Sequence, residues 1–513
     1  MSRSDRGNLV ATAVAVAAAL LVVVAYALRA WVLVTYPWDW SPDEGMHLDY
    51  ARRALEAPGT LYPHRAVPFP SAYGPLLPVL MAPLVRLGEP LMAARLMALA
   101  WALAGAGAVG EILRRRAGPL WAAAGIALYL APFDLSFWHM LVRVDGPMIA
   151  LWLWAAVPLL PRDIERGADS LSRGRLAAGT ALLLASVLVK PTAALHGAPL
   201  VLGWFLVDRR SAWRLSAATA GGGLTVLGIL QAVTGGGFLW VNRLWGLHPR
   251  VSGLAGSLMA YFGVLAWPVI LLAAAGALVV SAARSRPHRE PALLLVAGGL
   301  AVAPIMGKQG ASWNYMLPLF AALVVAAGCW FARAARTWSR PRPSPSVVRL
   351  APALATMALA ITLASTRPFP LPSTLDEATA RAFYRFTQEV HRSAGGPFLV
   401  SRPDLVYFLA GQAEEVEGSS FSHLAAGGAP GAGDVLERLR DGRYTLVVVT
   451  WPLPETPEWR DALREGYRHV GGCGLGWYFG VMTSHLLVRR DLSYAFVPPA
   501  GTRCAVAAAT SSP

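Results

Sequence analysis

Apolar stretches of about 20 residues recur through residues 1–365 of this sequence, and short gaps that contain arginine separate them. An α-helix of about 20 apolar residues crosses the hydrocarbon core of a bilayer. The pattern therefore predicts a polytopic helical membrane protein, mainly α, with about 11 transmembrane helices. The predicted spans are 9–28, 91–111, 118–132, 146–161, 176–190, 192–207, 214–233, 258–281, 291–306, 313–332 and 349–365.

Charge is scarce in this chain and unevenly placed. Only 15% of the 513 residues are charged, whereas soluble domains average about 25%, which argues against an ordinary cytosolic enzyme. The net charge is +15, and residues 1–365 hold 31 basic and 15 acidic side chains. Because much of this excess lies in short gaps between spans, it is typical of cytoplasmic membrane loops, and we expect no nucleic-acid partner.

Arginine-rich gaps alternate with arginine-poor gaps, which indicates an orientation. If the N-terminus is cytoplasmic, the rich gaps, such as 112–117 and 282–290, are cytoplasmic too. The C-terminal segment then lies in the periplasm or outside the cell. The first outer loop, about 35–90, is long, and its apolar segment 73–87 is short enough to predict a re-entrant or interfacial helix.

Residues 366–513 have a different character, with a helical pattern at 375–391 and short apolar runs typical of strands. They predict a small C-terminal α/β extracytoplasmic domain after a membrane module of residues 1–365. Three cysteines are too few for a disulfide-rich scaffold. Cys473 and Cys504 both lie in this domain, so a disulfide between them is an option if the domain is exported.

The first outer loop carries an unusual concentration of acids: Asp39, Asp43, Glu44 and Asp49. Next to a membrane, the low local dielectric can raise the pKa of a carboxylate, which could then deprotonate an acceptor hydroxyl. The alternative is a solvated loop whose acids cap a helix that starts near Pro42.

Three further groups of polar residues fall at predicted outer ends of spans. Arg143 and Asp145 flank the start of one span and would face a cavity or form an interfacial ion pair. Lys190 and Lys308 are the only two lysines among 45 basic residues. The ammonium of each could bind a phosphate oxygen; the alternative is that the side chain extends to the membrane interface. Asn314 and Tyr315 open another span, as an anion-binding helix start or as part of an aromatic belt.

Acids that could serve a hydroxyl acceptor and bases that could bind a phosphate are thus predicted on one outer face. Nucleotide sugars are cytoplasmic, so an activated sugar outside must arrive on a lipid carrier. The pattern predicts an extracytoplasmic transfer from a lipid phosphate.

Several short motifs resemble those of the GT-C glycosyltransferases, most closely the ArnT-like and protein O-mannosyltransferase-like bacterial members. The similarity in layout covers most of residues 10–330. The motifs are Asp43-Glu44 after the first span, Tyr73-Gly74-Pro75, Arg143-Val144-Asp145-Gly146, Val189-Lys190-Pro191-Thr192 and the stretch 310–315.

The resemblance implies a GT-C-like fold in the bacterial inner membrane, a polyprenyl-phosphate-linked sugar as donor and an inverting displacement. It places the catalytic base on Asp43, with Glu44 beside it. The remaining expected roles are catalytic or positioning for Asp145, phosphate-binding for Arg143, Lys190, Lys308 and Asn314, and substrate-binding for His47, Tyr73 and Tyr315.

The resemblance names neither the sugar nor the acceptor, which could be a cell-envelope glycan, a lipid or a protein. Just after the acid pair, aminoarabinose transferases have aromatic and basic residues, whereas this chain has Gly45-Met46-His47, which argues against lipid A as the acceptor. No loop is long enough for the β-trefoil domain of protein mannosyltransferases. Some family members bind a divalent metal, for which Asp43, Glu44, His47 and Asp145 are candidate ligands; the sequence alone requires no cofactor.

Other classes of membrane protein fit parts of this pattern. A transporter or lipid flippase would also place ionisable groups in a membrane cavity, although the two related halves common in transporters are not evident. A structural or sensory protein would use the C-terminal domain as a binding module but would leave the acid-rich loop unexplained. A catalytically inactive family member is a further alternative.

Overall fold

The chain is mainly helical, as predicted. Among the residues that the structure describes, five helices are long and apolar enough to cross a membrane: Thr12–Val34, Pro90–Arg116, Arg209–Val233, Leu254–Ala282 and Asn314–Ala334. The computed structural model describes residues 3–64, 71–132, 135, 137–161, 170–246, 250–282, 290–308, 311–337, 355–361, 363, 371–401, 413–415, 431–450, 456–477 and 480–506.

The helices before the C-terminal domain follow the predicted spans closely, although some are short. Most of the predicted span 349–365 lies outside the described residues, so the number of crossings stays a prediction. The helices are α1 (Arg3–Val34), α2 (Pro42–Glu56), α3 (Leu76–Met81), α4 (Pro90–Arg116), α5 (Pro119–Leu130), α6 (Asp145–Leu159), α7 (Arg173–Val189), α8 (Ala193–Leu202), α9 (Arg209–Val233), α10 (Gly237–Gly246), α11 (Leu254–Ala282), α12 (Leu293–Leu300) and α13 (Leu317–Thr337).

Several helices leave large apolar side chains uncovered. On α9, Trp213, Leu224 and Ile229 are each more than half exposed. Water-soluble proteins rarely expose such continuous apolar faces, whereas lipid tails cover them at no cost. The chain is an integral membrane protein. In the first outer loop, α3 and the 3₁₀ helix Ala82–Arg86 together span too few residues to cross a bilayer, and the re-entrant or interfacial placement of this segment stays a prediction.

The chain divides into two compact units. Unit 1 comprises residues 1–31, 97–227 and 249–369. Unit 2 comprises residues 32–96, 228–248 and 370–513, so it joins the first outer loop to the C-terminal domain. The predicted boundary at residue 365 stays a prediction.

The C-terminal domain is a small α/β domain, as predicted, and consists of a mixed sheet with helices on both faces. Its helices are α14 (Thr374–Ala394), α15 (Ala432–Arg440) and α16 (Pro457–Gly466), and its strands are β1 (Phe398–Val400), β2 (Ala413–Glu415), β3 (Leu446–Val449), β4 (Tyr467–Trp477), β5 (Gly480–Arg489) and β6 (Cys504–Val506). The strand order is β2-β1-β3-β5-β4-β6. β1 runs parallel to β2 and β3, and the other pairs are antiparallel.

Alternation along the central strands explains the two-faced packing. Phe398 and Val400 of β1 enter one core with residues of α14, whereas Leu399 enters the other core with residues of α15 and α16. Cys473 and Cys504 are directly paired across β4 and β6 and form a disulfide.

Candidate functional site

The first turn of α2 places Asp43 and Glu44 at the start of a helix within unit 2. Ser41 caps the helix, because its hydroxyl accepts a hydrogen bond from the Asp43 amide at 3.4 Å. Pro42 stands in the first turn, where its fixed φ suits a helix start. Two acids in this turn interact favourably with the positive end of the helix dipole.

Glu44 is fully buried and ion-paired with Arg95 of α4. The Arg95 guanidinium donates to both carboxylate oxygens, Nε to Oε1 at 2.8 Å and Nη2 to Oε2 at 2.6 Å. The backbone amide of Trp40 also donates to Oε2, at 2.7 Å. Both oxygens of Glu44 are thus occupied, which favours a positioning role for this carboxylate over proton transfer.

Exposure separates Asp43 from Asp39, Glu44 and Asp49, the other three acids concentrated near the start of this loop. Asp39 accepts a hydrogen bond from the Tyr384 hydroxyl at 2.9 Å, and Asp49 lies 2.9 Å from Arg53 Nε. Asp39, Glu44 and Asp49 are each at most 5% exposed, whereas Asp43 is only half-buried. Among these four acids, Asp43 is therefore the one that a substrate can reach.

His47 and Tyr73, which the sequence predicts as substrate-binding residues, are neighbours in unit 2. His47 lies one turn after Asp43 on α2, and its ring centroid is 5.3 Å from that of Tyr73. The His47 side chain is only 1% exposed. The buried ring of His47 packs against the ring of Tyr73, which is the more accessible of the two to solvent.

Unit 1 brings together four of the predicted residues, which are as much as 171 positions apart in the chain. Asp145, the first residue of α6, is completely buried. Its Oδ1 accepts from Lys190 Nζ at 2.8 Å, and its Oδ2 accepts from Asn314 Nδ2 at 3.0 Å and from Arg143 Nε at 3.3 Å. We call Arg143, Asp145, Lys190 and Asn314 the Asp145 cluster.

Aromatic rings support both cations of the Asp145 cluster. The Arg143 guanidinium carbon lies 4.1 Å from the Trp138 ring centroid, and Lys190 Nζ lies 4.4 Å from that of Tyr315. Burial lowers the pKa of the nearby His139 to about 4, despite the opposing effect of Asp145, so this imidazole is neutral at pH 7. Two cations and one carboxylate leave one net positive charge, which favours an anion.

Within the described chain, Lys308 is not one of the hydrogen-bond partners of Asp145. Its backbone forms an isolated antiparallel bridge with Arg250. Gly310, in the predicted motif 310–315, lies outside the described residues. The buried Oδ1 of Asn314 accepts no hydrogen bond from the described chain and is available to a ligand hydroxyl.

A metal ion needs carboxylate oxygens that are not already held by other side chains. Both oxygens of Glu44 are bound by Arg95, and both oxygens of Asp145 are bound by cluster members. No group of three or more His, Cys, Asp or Glu side chains within the described ranges is placed to share a metal ion. Glu44 and Asp145 do not fit the role of metal ligands in this arrangement.

Sequence reasoning missed Arg95, Trp138 and Tyr384. Arg95 falls inside a predicted span, and an ionisable residue within a span signals a buried partner. Trp138 and Tyr384 are two of many aromatic residues in the chain, so no sequence signal singled them out.

No protein-family model and no curated protein matches this sequence. Among solved structures, the chain is similar to ArnT from Cupriavidus metallidurans bound to undecaprenyl phosphate, with 16% identity over 94% of this chain and 99% of that chain and a TM-score of 0.57. The apo state of that protein gives 15% identity over 91% and 97% of the two chains and a TM-score of 0.55. The chain shares its overall fold with ArnT, in agreement with the predicted fold class.

Proposed function

We propose that this chain is a membrane glycosyltransferase that takes its sugar from a polyprenyl-phosphate carrier. The observation that carries the proposal is the Asp145 cluster, a buried and net positive site in a fold shared with a protein that binds undecaprenyl phosphate. We further propose the bacterial inner membrane as its location, with a cytoplasmic N-terminus and the C-terminal domain outside.

The proposed reaction is a single displacement with inversion at the anomeric carbon of the sugar. The acceptor hydroxyl oxygen forms a bond to that carbon while the bond from the carbon to the phosphate oxygen breaks. The hydroxyl proton passes to a carboxylate of the protein. The polyprenyl phosphate leaves with the bonding electrons and gains negative charge.

Asp43 is the proposed base. It is the most accessible of the four acids between residues 39 and 49, and a positioned base contributes roughly 10²–10⁴-fold to the rate. Glu44 is assigned a positioning role, because Arg95 holds both of its oxygens. Tyr73 is proposed to contact substrate, with His47 packed behind it.

Lys190 and Arg143 are the proposed ligands of the donor phosphate. A fixed cation stabilises charge that grows on the leaving oxygen, and its contribution is largest in a site that excludes water. Asp145 orients the ammonium of Lys190 and the amide of Asn314. The Oδ1 of Asn314, to which no described residue donates, would accept a hydrogen bond from a donor hydroxyl, and the Tyr315 ring lies against the Lys190 ammonium. Lys308 stays a predicted phosphate ligand.

The test compares the lipids and glycans of a deletion strain complemented with wild type, Asp43→Asn or Glu111→Gln. Glu111 is an acid near the C-terminal end of α4 that pairs with Arg114 and Arg115, and it controls for the loss of one carboxylate. We expect a polyprenyl-phosphate sugar to accumulate in the deletion strain and in the Asp43→Asn strain only. If the deletion changes no lipid-linked sugar and no glycan, the proposed function is wrong.

A further inference from the structure

The C-terminal domain contacts the first outer loop within unit 2, shortly before the helix that carries Asp43. The contact is made by Tyr384 of α14, whose hydroxyl donates to Asp39 Oδ1 at 2.9 Å. The ring of Tyr384 also stacks on that of Trp38, with centroids 4.6 Å apart and planes 13° from parallel. Tyr384 and Asp39 are both buried, so water does not compete for this hydrogen bond.

Packing fixes Tyr384 in the C-terminal domain. Its side chain belongs to the core that α14 forms with strands β1, β3, β4 and β5. The neighbouring ring of Phe383 lies edge-on to it, with centroids 5.2 Å apart. Trp38 packs against the same core although it belongs to the first outer loop. Because close-packed side chains have little freedom to move, the domain determines where the Tyr384 hydroxyl lies.

A short segment connects this contact to the proposed base. Asp39 stands four residues before Asp43. The amide of Trp40 donates to Glu44 Oε2 at 2.7 Å, and Glu44 is the residue after Asp43. The hydroxyl of Ser41 accepts from the Asp43 amide at 3.4 Å. A displacement of Asp39 would therefore move the first turn of α2 and with it the Asp43 carboxyl group.

Attachment of the domain alone would require only apolar packing, which the stacked rings of Tyr384 and Trp38 supply. A carboxyl group is costly to bury unless it is hydrogen-bonded, and well-packed apolar residues often stabilise a contact as well. A hydrogen bond adds direction, because the donor and the acceptor must align. The polar pair therefore indicates that the contact sets the position of Asp39 rather than merely holding the domain in place.

We propose that Tyr384 is a positioning residue for the transfer reaction. Through its hydroxyl, the C-terminal domain holds the first outer loop in the geometry in which Asp43 meets the acceptor hydroxyl. This inference rests on the proposed function and gives the C-terminal domain a role in it. Tyr384 itself acts through Asp39, and a displacement of a reacting group by about 1 Å can slow a reaction about 100-fold.

The test compares wild type with Tyr384→Phe, which keeps the ring and removes the hydroxyl. The matched control is Tyr467→Phe, because Tyr467 is a buried tyrosine of the same domain whose hydroxyl donates to the Tyr444 carbonyl at 3.1 Å. Three quantities are measured on the full-length protein in detergent. They are hydrogen exchange in a peptide covering residues 36–46, the rate of polyprenyl phosphate release from the lipid extract of the deletion strain with its glycan fraction as acceptor, and the affinity for undecaprenyl phosphate.

We expect Tyr384→Phe to raise the exchange rate in this peptide roughly tenfold, as the loss of one hydrogen bond to an ionisable group implies. Release should slow at least about tenfold. The affinity should not change, because the proposed phosphate ligands belong to the Asp145 cluster. Tyr467→Phe should change none of the three quantities.

Equal exchange in wild type and Tyr384→Phe, or equal effects of the two substitutions, would overturn the inference. Faster exchange with an unchanged release rate would also overturn it, because the loop would then move without consequence for Asp43. The exchange measurement does not depend on catalysis. Wild type that releases no polyprenyl phosphate would contradict the proposed function, whereas normal release by wild type with equal exchange in the variant would contradict this inference alone.

Discussion

Replacing Arg95 with methionine should destabilise unit 2 more than any loss of a surface charge. Arg95 is completely buried and makes a bidentate ion pair with Glu44. Its Nη1 also donates to the carbonyls of Leu33 at 2.6 Å and Tyr36 at 2.5 Å, and its Nη2 donates to that of Trp38 at 2.8 Å. Methionine has a similar volume but supplies none of these donors.

The magnitude follows from the burial of the pair. Removing one member of a buried ion pair costs about 3–5 kcal/mol, because the remaining charge stays buried with fewer partners. Glu44 would lose both hydrogen bonds from the guanidinium, while the Trp40 amide would still donate to it. At about 2–4 °C per kcal/mol for a unit of about 150–250 residues, Tm should fall by roughly 6–20 °C.

The assay is thermal unfolding in detergent, with Arg114→Met as the matched control. Arg114 is also on α4 and pairs with Glu111 at 2.6 Å, but its side chain is 58% exposed. Exposed pairs contribute about 0–1 kcal/mol, so the control should lose little stability. Arg95→Lys should recover only part of the lost stability, since an ammonium cannot reproduce the two parallel hydrogen bonds that a planar guanidinium donates to a carboxylate. Equal Tm values for Arg95→Met and Arg114→Met would refute the reasoning.

Three further predictions concern other parts of the chain. Lys190→Met should weaken binding of polyprenyl phosphate at least about tenfold, measured by titration of the purified protein; unchanged affinity would remove Lys190 from the phosphate site. Gly298→Ala should lower Tm, because a Cβ there would lie 2.5 Å from the His196 carbonyl oxygen, whereas Gly256→Ala, which meets no atom within 4 Å, should not. Burial would raise the pKa of Asp376, but hydrogen bonds from Ser373 and Arg503 hold it below its usual value. Its stabilising effect is therefore full above about pH 4 and is lost as pH falls through the folded-state pKa, so Asp376→Asn should flatten the acid limb of the stability curve. An unchanged acid limb would contradict this account of Asp376.

The helices were predictable because a helix that faces lipid or the protein core needs a long apolar stretch, and such stretches are visible in the sequence. The start of α2 was predictable in the same way, since Ser41, Pro42 and two acids form a recognisable helix start. Short apolar runs such as 445–450 indicated the strands of the C-terminal domain. Its six-strand order was not predictable, because strand pairing depends on long-range packing that local patterns do not encode.

The Asp145 cluster was predictable in its members but not in its contacts. Lys190 stood out because lysine is rare in this chain, and Asp145 because a carboxylate at a span end is costly. That Asp145 would accept from Asn314, 169 positions away, depends on which helix ends are neighbours. Arg95 was missed because arginine is common in this chain: it is one of 43, so its residue type did not single it out as the two lysines were singled out.

The most direct test of the central claim asks whether the purified protein breaks the bond between sugar and carrier phosphate. The donor is the lipid extract of the deletion strain, the acceptor is its glycan fraction, and the product measured by mass spectrometry is free polyprenyl phosphate. We predict release by wild type, at least about 100-fold slower release by Asp43→Asn, and partial activity of Asp43→Glu, with unchanged Tm in each case. Release by Asp43→Asn at the wild-type rate, or movement of the intact lipid-linked sugar across vesicles without release, would contradict the account.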